Sequence, residues 1–160
     1  MKSHFQEYLV NDGQVIGLNI SSGEVDYAIE LMPIDYFQPS EAVDPAAVVS
    51  LSRSISRSGI WSTALPVEAE TGYVMDGNHR LEVGRELGLR MLPCIRLHYL
   101  DVRVSVSEWK SGKPFDRLEL MRLARTGRIL PYKTTRHQFA PTLPSIRIDL
   151  SKLTSDVCGD

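Results

Sequence analysis

The spacing of apolar positions changes several times along the chain, and each change marks an expected element. Gln14–Ile20 and Glu24–Met32 alternate between apolar and polar, with Val25, Tyr27 and Ile29 on one face. Ser21-Ser22-Gly23 between them is turn chemistry, so the two runs predict a hairpin. At Val48, Leu51 and Ile55 the spacing becomes helical. Asp44 can cap the start of that helix, Pro45 suits its first position and Gly59 its end. Short strands are expected over Ala64–Glu68 and Tyr73–Met75, around a Thr71-Gly72 turn. A second helix is predicted from Asn78 to Leu87, closed by Gly88. A strand from Leu92 to Tyr99 follows, with a neighbouring strand through Val102, Val104 and Val106. Phe115–Arg125, between Pro114 and Gly127, predicts a third helix.

The ends of the chain read differently. Residues 1–13 are polar with few apolar anchors and predict a flexible start. From Leu130 the sequence is rich in Pro and Thr, and Ile146–Leu150 predicts a last strand as it returns to the body. Pro-rich tails are often dispensable, so a chain cut before Leu130 is expected to keep a folded core. Strands and helices interleaved in this irregular order predict a single α+β domain, a mixed sheet with packed helices. Residues 14–126 form its core and 127–160 a C-terminal segment.

Composition narrows the class. Of 160 residues, 42% are apolar and 24% charged, as in an ordinary globular protein. Lys and Arg number 18 against 20 Asp and Glu, a net charge of -2 that argues against a protein whose main work is coating nucleic acid. Cys94, in Met91-Leu92-Pro93-Cys94-Ile95, reads as a buried, inert thiol, and Cys158 as mobile. The first 20 residues lack the apolar core of a signal peptide, and no stretch approaches the roughly 20 apolar residues of a membrane span. A cytoplasmic protein is expected, with no membrane partner.

Chemistry concentrates in Tyr73-Val74-Met75-Asp76-Gly77-Asn78-His79-Arg80. An apolar strand ends in Asp76, turns at Gly77 and opens a helix. Helix N-termini present unpaired N–H groups and positive potential, so a phosphate placed there meets aligned donors. Arg80 adds charge-assisted bonds, and Asp76 could reach a metal ion bound to the phosphates. A capped helix with a solvated first turn fits the same residues equally well.

The order Leu31-Met32-Pro33-Ile34-Asp35, Glu41, Ile55-Ser56-Arg57-Ser58-Gly59-Ile60, Leu65-Pro66-Val67 and Asp76-Gly77-Asn78-His79-Arg80 resembles the ParB/sulfiredoxin superfamily. Sulfiredoxins carry a reactive cysteine where this chain has Asn78, and a carboxamide cannot do thiol chemistry. Partition proteins carry a Gly-Glu-Arg-Arg type motif and a helix-turn-helix domain, for which the residues after 100 are too few and too Pro-rich. The free serine kinases carry Asp-Gly-His-His-Arg, which this chain matches except at Asn78. They also carry a Lys-Thr-Thr-Arg-His-type segment, here Lys133-Thr134-Thr135-Arg136-His137, and a tryptophan at the place of Trp109.

The resemblance implies a small-molecule kinase that phosphorylates the hydroxyl of free L-serine. ATP or ADP would be the donor and Mg²⁺ the accompanying ion, approached by Asp76. Gly77, Asn78, His79 and Arg80, helped by Lys133, Thr134, Thr135, Arg136 and His137, would bind the nucleotide phosphates. Trp109 would hold the amino acid, and Glu41 would be the general base, with Asp76 the second catalytic carboxylate. Without the resemblance, Glu41 reads as an exposed loop carboxylate and Lys133–His137 as a solvated basic loop. Trp109 reads equally well as core. His98, in an apolar strand, reads as structural, and no Cys/His spacing suggests zinc. The alternative function is a non-catalytic ParB-like regulator that senses a nucleotide or binds DNA. A nuclease would have only Asp76 and Glu41 to hold its metal.

Overall fold

Asp44 accepts a hydrogen bond from the backbone N–H of Ala46 (3.1 Å) and starts helix α1, Pro45–Ser58. Gly59 ends it with φ 69°, so the expected cap and stop are both realised. The computed structural model describes residues 8–11, 14–17 and 26–154. The Ser21-Ser22-Gly23 turn and Cys158 lie outside the described residues, as does the rest of 1–13.

Strands β1 (Tyr8–Asn11) and β2 (Gln14–Gly17) pair antiparallel, from Tyr8 opposite Gly17 to Asn11 opposite Gln14. Four residues read as part of a flexible start are therefore a strand, and the hairpin partner of β2 precedes it. The second expected run is strand only over β3 (Glu30–Pro33), which pairs with a later strand. Local alternation marks a strand but does not choose its partner.

After α1 come β4 (Ile60–Thr63) and β5 (Leu65–Glu68). Helix α2 (Asn78–Glu86) then leads to β6 (Met91–Leu97). The central sheet has the order β3-β6-β5: β6 pairs antiparallel with β3 and parallel with β5, with α2 in the connection between β5 and β6. All four residues of β5 are buried although it stands at an end of this three-stranded sheet. Tyr73–Met75 is held by single bridges, not a ladder. Val74 donates to the Gln38 carbonyl and Met75 to that of Pro66, each at 2.9 Å. All three side chains are buried.

The second half departs further from the sequence pattern. Strand β7 is Val104–Glu108, and its partner is β8 (Thr135–Phe139), inside the Thr-rich segment read as a loop. Val102 lies outside the strand and is 96% exposed. Helix α3 (Arg117–Thr126) is capped by Asp116 and ended by Gly127, and it buries Leu120, Leu123 and Ala124. Strand β9 (Ser145–Asp149) pairs antiparallel with β4 and buries Ile146 and Ile148. Leu153 is fully buried beyond it, and the Trp61 indole, fully buried on β4, donates to the Thr63 carbonyl. The C-terminal segment is thus part of the core, because it supplies the pairing edge for β4.

Cys94 is buried on β6, and burial pushes its thiol up to about 12, so it is inert as expected. His98 lies just past β6 and is exposed, 3.7 Å from the Glu68 carboxylate. No helix among the described residues is long and apolar enough to cross a membrane.

Candidate active site

Gly77 takes φ 99° at the N-cap of α2, and a Cβ there would stand 2.6 Å from Leu65 Cδ2. Only glycine allows the chain to turn this close to β5 and start α2 at once. The start of α2 forms one wall of a cleft of about 360 Å³. Eleven of the twelve residues singled out from the sequence line it: Glu41, Asp76, Gly77, Asn78, His79, Arg80, Trp109, Lys133, Thr135, Arg136 and His137.

Backbone pairing far from α2 builds the opposite wall. Leu130 donates to the Ser40 carbonyl and Ala42 to that of Leu130, both at 2.8 Å, which ties the Glu41 loop to the C-terminal segment. The antiparallel β7–β8 pair, joined through α3, sets Glu108 opposite Thr135, and the Trp109 N–H donates to the Thr134 carbonyl (3.0 Å). Lys133 takes a left-handed backbone (φ 56°), which costs roughly 1 kcal/mol in a residue with a Cβ. Its ammonium lies 5.4 Å from the Trp109 ring centroid and 5.3 Å from that of Tyr132, with the Arg136 guanidinium 5.4 Å from Trp109. Both rings are part-exposed, so Trp109 is not a core residue.

The polar groups differ in what they have left to offer a ligand. Asp76 is exposed, and neither it nor Arg80 has a hydrogen-bond or ion-pair partner among the described residues. With Lys133 and Arg136 these are the groups free to meet phosphates or a cation. His79 Nε2 accepts from the Asp44 N–H (3.1 Å), leaving only Nδ1 for a ligand, and its ring packs edge-on to Tyr132. Asn78 Oδ1 accepts from the N–H groups of Ser40 (2.8 Å) and Glu41 (3.3 Å), and its Nδ2 donates to Ser40 Oγ (3.0 Å). Glu41 Oε1 accepts from both the N–H (2.7 Å) and the hydroxyl (2.6 Å) of Thr135.

Two members of the Lys133–His137 segment have side chains that are already paired or shielded from solvent. Thr134 does not line the cleft, and its hydroxyl donates to the Pro131 carbonyl (2.6 Å). His137 stacks on Phe139 and contacts the Tyr99 ring, with an Nε2 that is shielded from solvent and unpartnered among the described residues. Burial pushes its imidazole down to about 4, so it is neutral near pH 7. Strand alternation does not explain the division, since Thr134 precedes β8 and His137 shares a face of β8 with Thr135.

Sequence reasoning gave no role to Ser40 or Tyr132. Ser40 is buried and anchors the Glu41 loop through its Oγ, which donates to the Val74 carbonyl (2.5 Å). Tyr132 lines the cleft and carries Lys133 over its ring. An aromatic residue directly before Lys133 was the signal available for it. Below the cleft, burial pushes the Tyr73 hydroxyl up to about 12, and it donates to the Arg128 carbonyl (2.7 Å).

Among the described residues no group of three or more His, Cys, Asp and Glu is placed to hold a metal ion. Magnesium, however, is commonly held by one or two carboxylates together with substrate phosphates. The unpartnered Asp76 at the cleft fits that donor set.

These features define an α+β fold with an anion-receptive cleft at a helix N-terminus. The fold is that of the free serine kinases. A free serine kinase in complex with AMP matches with a TM-score of 0.69 at 17% identity, over 85% of this chain and 97% of that one. A free serine kinase mutant in complex with ADP matches equally well, with the same TM-score, identity and coverage. The chain is also similar to an ATP-dependent L-serine kinase of Staphylothermus marinus, 29% identical over 83 residues. That match takes in 49% of this chain and 33% of the relative, so the chain spans about a third of the relative's length. No family model matches the chain.

Proposed function

We propose that the protein is a nucleotide-dependent kinase of free L-serine. The observation that carries this reading is one cleft joining Glu41, the N-terminus of α2 and the cations Arg80, Lys133 and Arg136. The N–H groups of α2 and these cations suit the phosphates of ATP or ADP, with most of the driving force electrostatic. Glu41 stands across from them, with Oε1 occupied by Thr135 and Oε2 without a partner among the described residues.

In the proposed reaction the serine hydroxyl oxygen attacks the terminal phosphorus of the nucleotide. The bond from that phosphorus to the bridging oxygen breaks, the shortened nucleotide leaves, and Glu41 takes the hydroxyl proton. Placing base and acceptor together matters because phosphoryl transfer leaves the protein mainly positioning and charge stabilisation to supply. Asp76 would hold Mg²⁺, which supplies charge neutralisation on the phosphates when bound. Trp109 would form a side of the acceptor pocket, its indole N–H available to a small polar substrate. The kinase names of the similar proteins, and the AMP and ADP in two of them, support the same reading. A cytoplasmic setting, where nucleotide and serine are both at hand, fits it.

The test is direct. The protein is incubated with Mg²⁺, serine and either ATP or ADP, and O-phospho-L-serine is sought by mass spectrometry, with homoserine and threonine as competing acceptors. Phosphoserine as the dominant product supports the proposal. Nucleotide binding without transfer to any of the three would replace it with a nucleotide-sensing role.

A further inference from the structure

Resting on the reading of Glu41 as base, we propose that Asn78 and Thr135 are positioning residues for Glu41, not ligands of the phosphates. Asn78 opens α2, where its place in the motif points to an anion. Its side chain turns the other way. Oδ1 accepts from two successive backbone N–H groups, those of Ser40 and Glu41, and Nδ2 donates to Ser40 Oγ. Ser40 Oγ passes its own hydrogen to the Val74 carbonyl, so the chain of bonds ends on the buried segment before Gly77. A carboxamide can accept at one end and donate at the other, and both ends are in use here. A carboxylate lacks the donor, and an imidazole nitrogen has one lone pair where two N–H groups converge.

Thr135 completes the clamp from the opposite wall. Its N–H and hydroxyl both reach Oε1 of Glu41, and as the first residue of β8 its own place is set by the ladder with β7. The backbone of Glu41 is thereby fixed by Asn78 of α2 and its carboxylate by Thr135 of β8, residues 57 positions apart in sequence. Two donors on one oxygen also select which oxygen is left for the acceptor proton. Misplacing a reacting group by about 1 Å can cost on the order of 10²-fold in rate.

The experiment compares Asn78→Ala, Thr135→Val and Thr135→Ser with the wild type in steady-state serine phosphorylation, with nucleotide affinity measured separately by calorimetry. Thr135→Val and Asn78→Ala should lower kcat by roughly 10- to 10²-fold while nucleotide Kd stays within about twofold. Thr135→Ser keeps the hydroxyl and should recover most of the lost turnover. In a Glu41→Gln background Thr135→Val should cost little further, because the group it positions is already disabled. Thr135 is only half-buried, so Thr135→Val carries the test should Asn78→Ala fail to fold. A matching loss of nucleotide affinity with unchanged kcat would overturn the positioning role and make both residues phosphate ligands. A wild type that binds nucleotide but never phosphorylates serine would overturn the kinase reading itself, and the positioning role with it.

Discussion

The backbone N–H of Trp109 donates to the carbonyl of Thr134 at 3.0 Å, across a gap of 25 positions in sequence. This bond extends the β7–β8 pairing by one step and sets an indole face beside the cations of Lys133 and Arg136. Trp61 is fully buried, so Trp109 is the tryptophan able to report on the cleft. Adding nucleotide should change the intrinsic fluorescence of the wild type and leave that of Trp109→Phe nearly unchanged. An equal response from both proteins would place the ligand elsewhere.

Glu41→Gln tests the base. Glutamine keeps an oxygen for the two Thr135 donors and preserves the shape of the loop, but it cannot take the hydroxyl proton. Turnover should fall by roughly 10²–10⁴-fold, the usual range for removal of a general base. Nucleotide affinity should change little, since in the proposed reaction the carboxylate would face the acceptor and not the donor phosphates. Wild-type turnover in this variant would transfer the role to Asp76, the other carboxylate lining the cleft.

A chain cut before Leu130 should not fold cooperatively. The cut removes β8 and β9, exposes the edges of β7 and β4, and deletes the buried Ile146, Ile148 and Leu153. Fully burying one such side chain is worth about 1.5–3 kcal/mol, and three together rival the whole net stability of a small domain. Thermal unfolding followed by circular dichroism should show a broad or absent transition. A sharp transition near the wild-type temperature would return the segment to the status of a dispensable tail.

His137 should make stability depend on pH. Its folded value lies near 4 and the ordinary histidine value near 6.5, with burial as the cause. Between the two, the unfolded chain binds the extra proton, so the stability is present above about pH 6.5 and is lost as pH falls toward 4. The loss is at most on the order of 3 kcal/mol, with no further contribution from this residue below that range. Denaturant midpoints at pH 7.5 and 4.5 should differ less in His137→Gln than in the wild type. An identical pH drop in both would show that the imidazole is open to water.

Local sequence determined what depends on neighbours a few positions apart. The cap at Asp44, the stops at Gly59 and Gly127, and the turn from Asp76 through Gly77 into α2 follow from side-chain and backbone chemistry within one turn of chain. Of the twelve residues that the resemblance in motifs singles out, eleven line one cleft. Tertiary structure decided strand partners and the employment of polar groups. β2 could pair before or after itself, and Thr135–Phe139 could be loop or strand, because a strand gains its hydrogen bonds only from a distant edge. The same holds inside the cleft. Asn78, Thr135 and His137 all carry groups able to serve a phosphate, and pairing turns the first two toward the Glu41 loop while the third packs against Tyr99 and Phe139. A donor's type can be read from one residue, but its partner is set by folding contacts that lie tens of residues away.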